Sequence, residues 1–283
     1  MKIDGKQLAT TILETLRAQV TTLKTKGINP HLVVILVGND PASEAYVRQK
    51  KLKGEAIGIH VSIHHYKENV TTTLLLSAIE QCNNDNNVHG IIIQQPLPDH
   101  IDAKKLVEAT DPKKDVDGFH PLSAFTPPIA EAVVVILEEI SARPRLAGPQ
   151  GVALRRWLRQ KKVVVIGKGE TGGMPIIQKL KKLGVEPTVI DSKTQRPEEP
   201  KKQADIIVSC VGRARMVKAD EIKKGVILLS IGMFRGNDGK LHGDYEEDEI
   251  KDIASFYTPV LGGIGPVNVA MLLKNVIEAA SMV

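Results

Sequence analysis

Apolar positions along the chain follow two alternating periods. Short runs such as "LVVILVG" (32–38), "IHVSIHHY" (59–66) and "VHGIIIQ" (88–94) are continuously or alternately apolar, as buried strands are; between them apolar residues recur every three or four positions, as in amphipathic helices. Helices are expected over 3–26, 42–57, near 71–82 and, shorter, over 102–110, and in the second strand Ile59, Val61 and Ile63 share a face. "HPLSAFTPP" (120–128) breaks the rhythm, a helix is expected over 129–140, and "SARPRLAGPQG" (141–151) has the Pro, Gly and Arg content of a linker, so the boundary region falls there. Beyond it "KVVVIG" (162–167), "PTVID" (187–191), "DIIVSCVG" (205–212) and "VILLSIG" (226–232) are four short strands with helix-length spacers, and 266–282 is again helical. Strand and helix alternating from end to end predict an α/β fold with mostly parallel sheet.

Composition narrows the class. The 283 residues are 42% apolar and 25% charged, a globular balance, with only 3% aromatic, so aliphatic side chains must supply the packing. The net charge of +5 is dispersed and few aromatics interleave with the basic residues, which speaks against nucleic acid and for small anionic ligands. "RQKKLK" (48–53) and "RRWLRQKK" (155–162) read as solvated helix faces or as attractors of a polyanionic substrate. Cys82 and Cys210 lie far apart and form no metal-ligand spacing. With no apolar run of about 20 residues and polar interruptions in the opening stretch, a cytoplasmic protein without membrane contact is expected.

Several stretches carry candidate chemistry. "VVVIGKGETGG" places Gly167, Gly169 and Gly172 in G-x-G-x-x-G spacing between an apolar strand and a helix. The first glycine suits a tight turn, the second a backbone approach to pyrophosphate, the third close helix–strand packing; Gly173 and Pro175 continue into the helix. This is the Rossmann pattern. Asp191 at the end of the next strand would accept a ribose 2′-OH and repel a 2′-phosphate, which argues for NAD, while Lys168, Ser192, Lys193 and Arg196 are close enough in sequence to receive a phosphate. In "GNDPASEAYVRQK", Asp40 is a plausible N-cap with Pro41 at the first helical position, so Ser43, Tyr46 and Lys50 share one helix face. A lysine beside a phenol and partly stripped of water can move protons near neutrality; the plainer reading is an exposed Tyr stacked on a Lys stem. Y-x-x-x-K with a glycine loop also resembles short-chain dehydrogenases, but there the loop comes first, whereas here the pair precedes it.

"GIIIQQPLP" (90–98), which ends a strand in Gln94, "DPKKDVDGFHP" (111–121), with Asp115 and Asp117 in a glycine turn, and "TPVLGGIGPVNVAMLLKN" (258–275) complete a set that resembles the bifunctional methylenetetrahydrofolate dehydrogenase/cyclohydrolase family, nearly from end to end. The resemblance implies an N-terminal folate-binding α/β domain over 1–122 with a returning C-terminal helix 266–283, a Rossmann NAD(P)-binding domain over 145–264, and a connecting helix and linker over 123–144. It implies Lys50 as the catalytic lysine, Tyr46 stacking on the folate, Gln94 tuning the lysine and Asp117 holding the pterin's amino-pyrimidine edge, with Ser43, Pro259, Gly262 and Gly263 also at the substrate. Gly167, Lys168, Gly169, Gly172, Gly173, Asp191, Ser192, Gly212 and Ile231 would contact NADP or NAD. No metal is expected; a homodimer acting on folates, polyglutamylated forms among them, is. The chain departs from the family pattern where Lys168 stands for Arg, Gly169 for Ser and Glu170 for Asn, where Asp191 replaces a frequent His, and where "SIGMF" (230–234), Leu261 and Asn268 replace D-V-G-I-N, Pro and Thr. These departures leave the cofactor preference open. They also leave two alternatives: a cyclohydrolase with weakened dehydrogenase, and a non-catalytic nucleotide- or folate-binding protein.

Overall fold

The structure is a computed structural model that describes residues 1–142 and 154–282; the linker expected over 141–151 lies, from 143 onward, outside the described residues. In chain order the elements are α1 (Gly5–Thr25), β1 (His31–Val37), α2 (Pro41–Ala56), β2 (His60–Tyr66), α3 (Thr72–Asn84), β3 (Gly90–Ile93), α4 (Ala103–Ala109) and α5 (Pro128–Ala142). There follow α6 (Leu154–Leu158), β4 (Val163–Ile166), α7 (Gly173–Lys182), β5 (Thr188–Ile190), α8 (Glu198–Gln203), β6 (Ile206–Ser209), β7 (Ile227–Ser230), β8 (Met233–Arg235), β9 (Leu241–Gly243), α9 (Glu247–Ile250), β10 (Phe256–Tyr257) and α10 (Ile264–Ala280). The chain divides into two compact units. One, here the N unit, comprises Ala9–Pro128 and Val269–Val283; the other, the C unit, comprises Met1–Leu8 and Ile129–Asn268.

The N unit is built on a parallel sheet of order β2-β1-β3, with His31 opposite His60 and Leu32 opposite Gly90. Because β1 is apolar at every position after its first, both faces can be covered. Leu32, Val34 and Leu36 join Leu16 and Val20 of α1, Val47 of α2 and Leu272 and Val276 of α10 in one core. Val33, Ile35 and Val37 point the other way, onto Leu75 and Ile79 of α3 and Leu106 of α4. Each such aliphatic side chain contributes about 1.5–3 kcal/mol on burial. Ile59 and Val61 lie in the first of these cores and Ile63 packs against it, as their shared face predicts.

The C unit holds a five-stranded parallel sheet of order β10-β7-β6-β4-β5. From β4 the chain goes outward to β5 and then back across to β6 on its other side, which makes the carboxyl end of β4 the switch point where such sheets bind ligands. All four β4 residues are buried. At the other edge the first residues of the chain add a short bridge: the Ile3 N–H donates to Tyr257 O at 2.8 Å and the Tyr257 N–H to Met1 O at 3.0 Å. Helix α6 uses Trp157 and Leu158 as its buried side and leaves Arg155 and Arg156 solvated, as expected for that basic cluster. The antiparallel β8–β9 pair is not foreseen by the pattern, since its strands are three residues long and expose Met233 and Leu241.

Candidate active site

Helix α2 starts as its sequence directs. Asp40 accepts the Ser43 N–H at 2.8 Å, and Pro41 occupies the first turn, where no N–H is needed. The buried stripe is Ser43, Val47, Lys50 and Gly54, a 4-3-4 spacing along one face. Gly54 permits close approach, because a Cβ there would stand 2.7 Å from a Val61 methyl. Two polar side chains are thereby drawn into an apolar stripe, and Lys50 is only 5% exposed. Within "RQKKLK" it is the exception to the expected solvated face.

The Lys50 Nζ donates to Gln94 Oε1 at 3.0 Å and lies 5.0 Å from the centroid of the Tyr46 ring. Gln94 follows directly on β3, and its Nε2 donates to Gln95 O at 2.6 Å, which turns the amide oxygen toward the lysine. Loss of hydration pushes the Lys50 amine below its ordinary value, against the opposing field of Asp117. Burial raises Asp117 in turn; Lys50 opposes this and Asp115 adds to it. Asp115, itself buried and raised, accepts the His120 N–H at 2.7 Å, and Gly118 turns the loop at φ +73°. The structure thus brings Tyr46, Lys50, Gln94 and Asp117 into one neighbourhood. Ser43 is on the same helix face, its N–H in the cap. A residue the sequence did not single out fixes this loop: Asn275 of α10 donates to Val116 O at 2.9 Å and Thr126 O at 3.0 Å. An amide set among apolar residues of a helix, one of two in α10, is the signal that could have found it.

In the C unit, Gly167 turns the chain after β4 at φ +87°. The close packing expected of Gly172 falls instead on Gly173: a Cβ there would lie 1.9 Å from Gly167 O, while one at Gly172 would make an ordinary 3.7 Å contact with Cys210. The reason is that α7 begins at Gly173, not one residue earlier. A Cβ at Gly169 would meet nothing within 4 Å, so that stretch of backbone is open to a ligand. The Lys168 Nζ pairs with Asp191 at 2.7 Å; Asp191 also accepts the Lys193 N–H at 3.0 Å and the Thr194 hydroxyl at 3.1 Å, and these donors, Lys168 foremost, hold its carboxyl at about 2. Ser192 is exposed beside it. Gly212 and Ile231 sit just past β6 and β7, with the Ile231 N–H donating to Ser209 O at 2.8 Å. In the 258–263 loop Pro259 and Gly263 are buried, Gly262 turns at φ +87°, and a Cβ on Gly263 would stand 2.3 Å from Pro259 O.

A parallel sheet with a glycine loop at its switch point, on one chain with an α/β unit that buries a lysine beside a carboxyl, defines a nicotinamide-dinucleotide enzyme with acid–base chemistry. Comparison with known proteins gives the family. The models for the catalytic and NAD(P)-binding domains of tetrahydrofolate dehydrogenase/cyclohydrolase match residues 3–117 and 153–283. The bifunctional protein FolD of Lactococcus lactis subsp. lactis is 40% identical over 288 residues, covering 99% of this chain and 96% of its own. Among solved structures, the bifunctional FolD methylenetetrahydrofolate dehydrogenase/cyclohydrolase of Campylobacter jejuni superposes with a TM-score of 0.91 at 36% identity, over 100% of this chain and 99% of its own. The Trypanosoma brucei methylenetetrahydrofolate dehydrogenase-cyclohydrolase, complexed with NADP cofactor and an inhibitor, gives 0.90 at 29% identity, over 100% and 97%. The chain belongs to the tetrahydrofolate dehydrogenase/cyclohydrolase family, as its motifs imply. It is an enzyme that oxidises 5,10-methylenetetrahydrofolate with NAD(P)+ and hydrolyses the methenyl product to 10-formyltetrahydrofolate.

Proposed function

We propose that Lys50 moves the proton in the hydrolytic step, that Tyr46, Asp117 and Ser43 hold the folate in the N unit, and that Gln94 sets the lysine's proton affinity. The carrying observation is the setting of Lys50: 5% exposed, with its amine 3.0 Å from a neutral amide oxygen and, among the described residues, in no ion pair. An amine with weakened hydration spends part of its time uncharged, and only then can it take a proton from water. Water adds to the methenyl carbon, Lys50 accepts its proton, the carbon–N5 bond opens with N5 taking a proton, and the formyl group stays on N10. The cationic methenyl substrate favours the neutral amine further. A glutamine suits position 94 because its oxygen accepts from the lysine in either protonation state, whereas a carboxylate there would lock the ammonium. Asp117 offers two acceptors to the N–H edge of the pterin, and the Tyr46 ring offers a face for it to stack on.

The residues of the C unit fit a dinucleotide: the Gly169 backbone is open, and the Gly173 N–H at the start of α7 faces the loop, the Met174 N–H being taken by Gly169 O and Pro175 having none. Bound there, the nicotinamide is the hydride acceptor. Pro259, Gly262 and Gly263 are proposed at the substrate, where the two glycines present backbone alone. The preference we propose is for NADP. Asp191, taken alone, argues for NAD, but its carboxylate is engaged by Lys168, Lys193 and Thr194, so its repulsion of a 2′-phosphate is offset and Lys168 remains beside it as a cation. By family resemblance, a cytoplasmic homodimer is proposed, with polyglutamylated folates among its substrates; the Rossmann domain expected over 145–264 and the folate domain expected over 1–122 with helix 266–283 correspond to the C and N units, with Met1–Leu8 and helix α5 from Ile129 onward lying in the C unit. The two free cysteines agree with a reducing compartment.

The test is Lys50→Met. Hydrolysis of the methenyl substrate should fall by about two to four orders of magnitude, with NADPH binding retained. Hydrolysis at the wild-type rate would remove the assignment.

A further inference from the structure

Asp244, directly after β9, is fully buried and belongs to no ion pair among the described residues. Its charge is met by backbone alone: Oδ1 accepts the N–H groups of Gly212 at 2.7 Å and Arg213 at 3.0 Å, and Oδ2 accepts that of Val211 at 3.2 Å. Three successive amides converging on one anion form a nest of the kind that phosphates occupy, here filled by the protein's own carboxylate. The nest lies just past the carboxyl end of β6. The same segment leans on the glycine loop, since a Cβ on Gly167 would stand 3.2 Å from Cys210 O. It also meets the turn after β7: a Cβ on Gly232 would be 2.6 Å from Asp244 Oδ2 and 2.1 Å from the Gly212 nitrogen.

Burying an unpaired carboxylate costs several kcal/mol unless it is fully hydrogen-bonded. A neutral side chain could pin one amide at less cost. Only an ionised carboxylate can accept from three amides without presenting a donor to any of them. The three ties all go to one loop at the ligand-binding edge of the sheet and none to a helix or a strand interior. We infer that Asp244 is a positioning residue for dinucleotide binding: by filling the nest it fixes Gly212, and through the Gly232 contact Ile231, at the cofactor edge, and it withholds those amides from the cofactor's phosphates. This rests on the assignment of Gly212 and Ile231 to the cofactor side.

The two activities separate a positioning role from a structural one, because hydrolysis needs no dinucleotide. In Asp244→Asn the amide NH2 must face one of the backbone N–H groups. The KM for NADP+ should rise by about ten-fold, with kcat changed less than two-fold and methenyl hydrolysis within two-fold of wild type; NADPH binding followed by its fluorescence should weaken in parallel. Asp244→Ala should move the same quantities further. An unchanged KM for NADP+ in both variants would overturn the inference, and so would joint loss of hydrolysis and dehydrogenation in Asp244→Asn, which would make Asp244 a support of the fold. A wild-type protein that reduces neither NADP+ nor NAD+ would instead overturn the functional assignment beneath it.

Discussion

The lysine neighbourhood of the N unit and the glycine loop of the C unit solve opposite problems. Around Lys50 the sequence supplies side chains from a helix, a strand end and a loop, and burial does the chemical work: the amine is pushed down and Asp117 up. Around Gly167 the sequence removes side chains and the backbone does the holding; Asp191 is shifted down by hydrogen bonds, Lys168 foremost, and burial there pushes the Cys210 thiol up to about 12. Identity of the side chain should therefore matter most in the first region, and its absence in the second.

That contrast can be broken. The largest effect is expected at Gly173→Ala, whose methyl cannot fit beside Gly167 O without moving the start of α7. Displacement of the cradle by about 1 Å should lower dehydrogenation about a hundred-fold while leaving hydrolysis near wild type; equal loss of both rates would show that the two regions are not separable. Next comes Gln94→Glu. Hydrolysis requires the neutral amine, so its rate should rise as pH climbs through the lowered Lys50 pKa, and a carboxylate at 94 should move that rise alkaline by about one unit. A rate-against-pH profile that stays in place would detach Gln94 from the lysine. Smaller again is Lys168→Ala, which should raise the KM for NADP+ about five-fold with little change for NAD+, whereas Asp191→Ala should improve NADP+ use; initial rates with both cofactors decide it.

The smallest effect concerns stability. In the unfolded chain Lys50 titrates near about 10.4, while the folded environment disfavours its charge. Below that value the unfolded state binds more protons, so this lysine lowers stability at low pH and the penalty shrinks as pH rises toward the unfolded pKa. Lys50→Met should therefore be more stable by about 1 kcal/mol near neutrality, a rise in Tm of about 2–4 °C that is lost near pH 10. A Tm that falls at every pH would mean that the amine's hydrogen bond to Gln94 outweighs its burial.

Local periodicity made the parallel strands, the long helices and the cap at Asp40 legible, because each depends on residues within a turn or two. The common face of Ser43, Tyr46 and Lys50 was legible for the same reason. That this face is buried was not: only Val47 in its stripe is an apolar side chain, and the closeness comes from Gly54 against Val61, a contact set by the sheet. Lys50 with Gln94, Lys168 with Asp191, and Asp244 with the Val211–Arg213 amides are partners across 44, 23 and about 32 positions, and no spacing rule reaches that far. The shift of the tight packing from Gly172 to Gly173 turned on a one-residue difference in where α7 begins, the least legible feature of any helix. The β8–β9 pair was hidden because its strands are short and half solvated.

The units interleave along the chain. The C unit takes its sheet-edge bridge from Met1–Ile3, and the N unit takes part of its core from Val269 onward. On the ribosome, the polypeptide up to residue 128 therefore emerges without the helix that closes one of its two cores, and it must wait for the last segment to be made. Gene splitting at the linker would give two fragments, each lacking a piece encoded in the other, so complementation between them, not independent activity, is the outcome to look for.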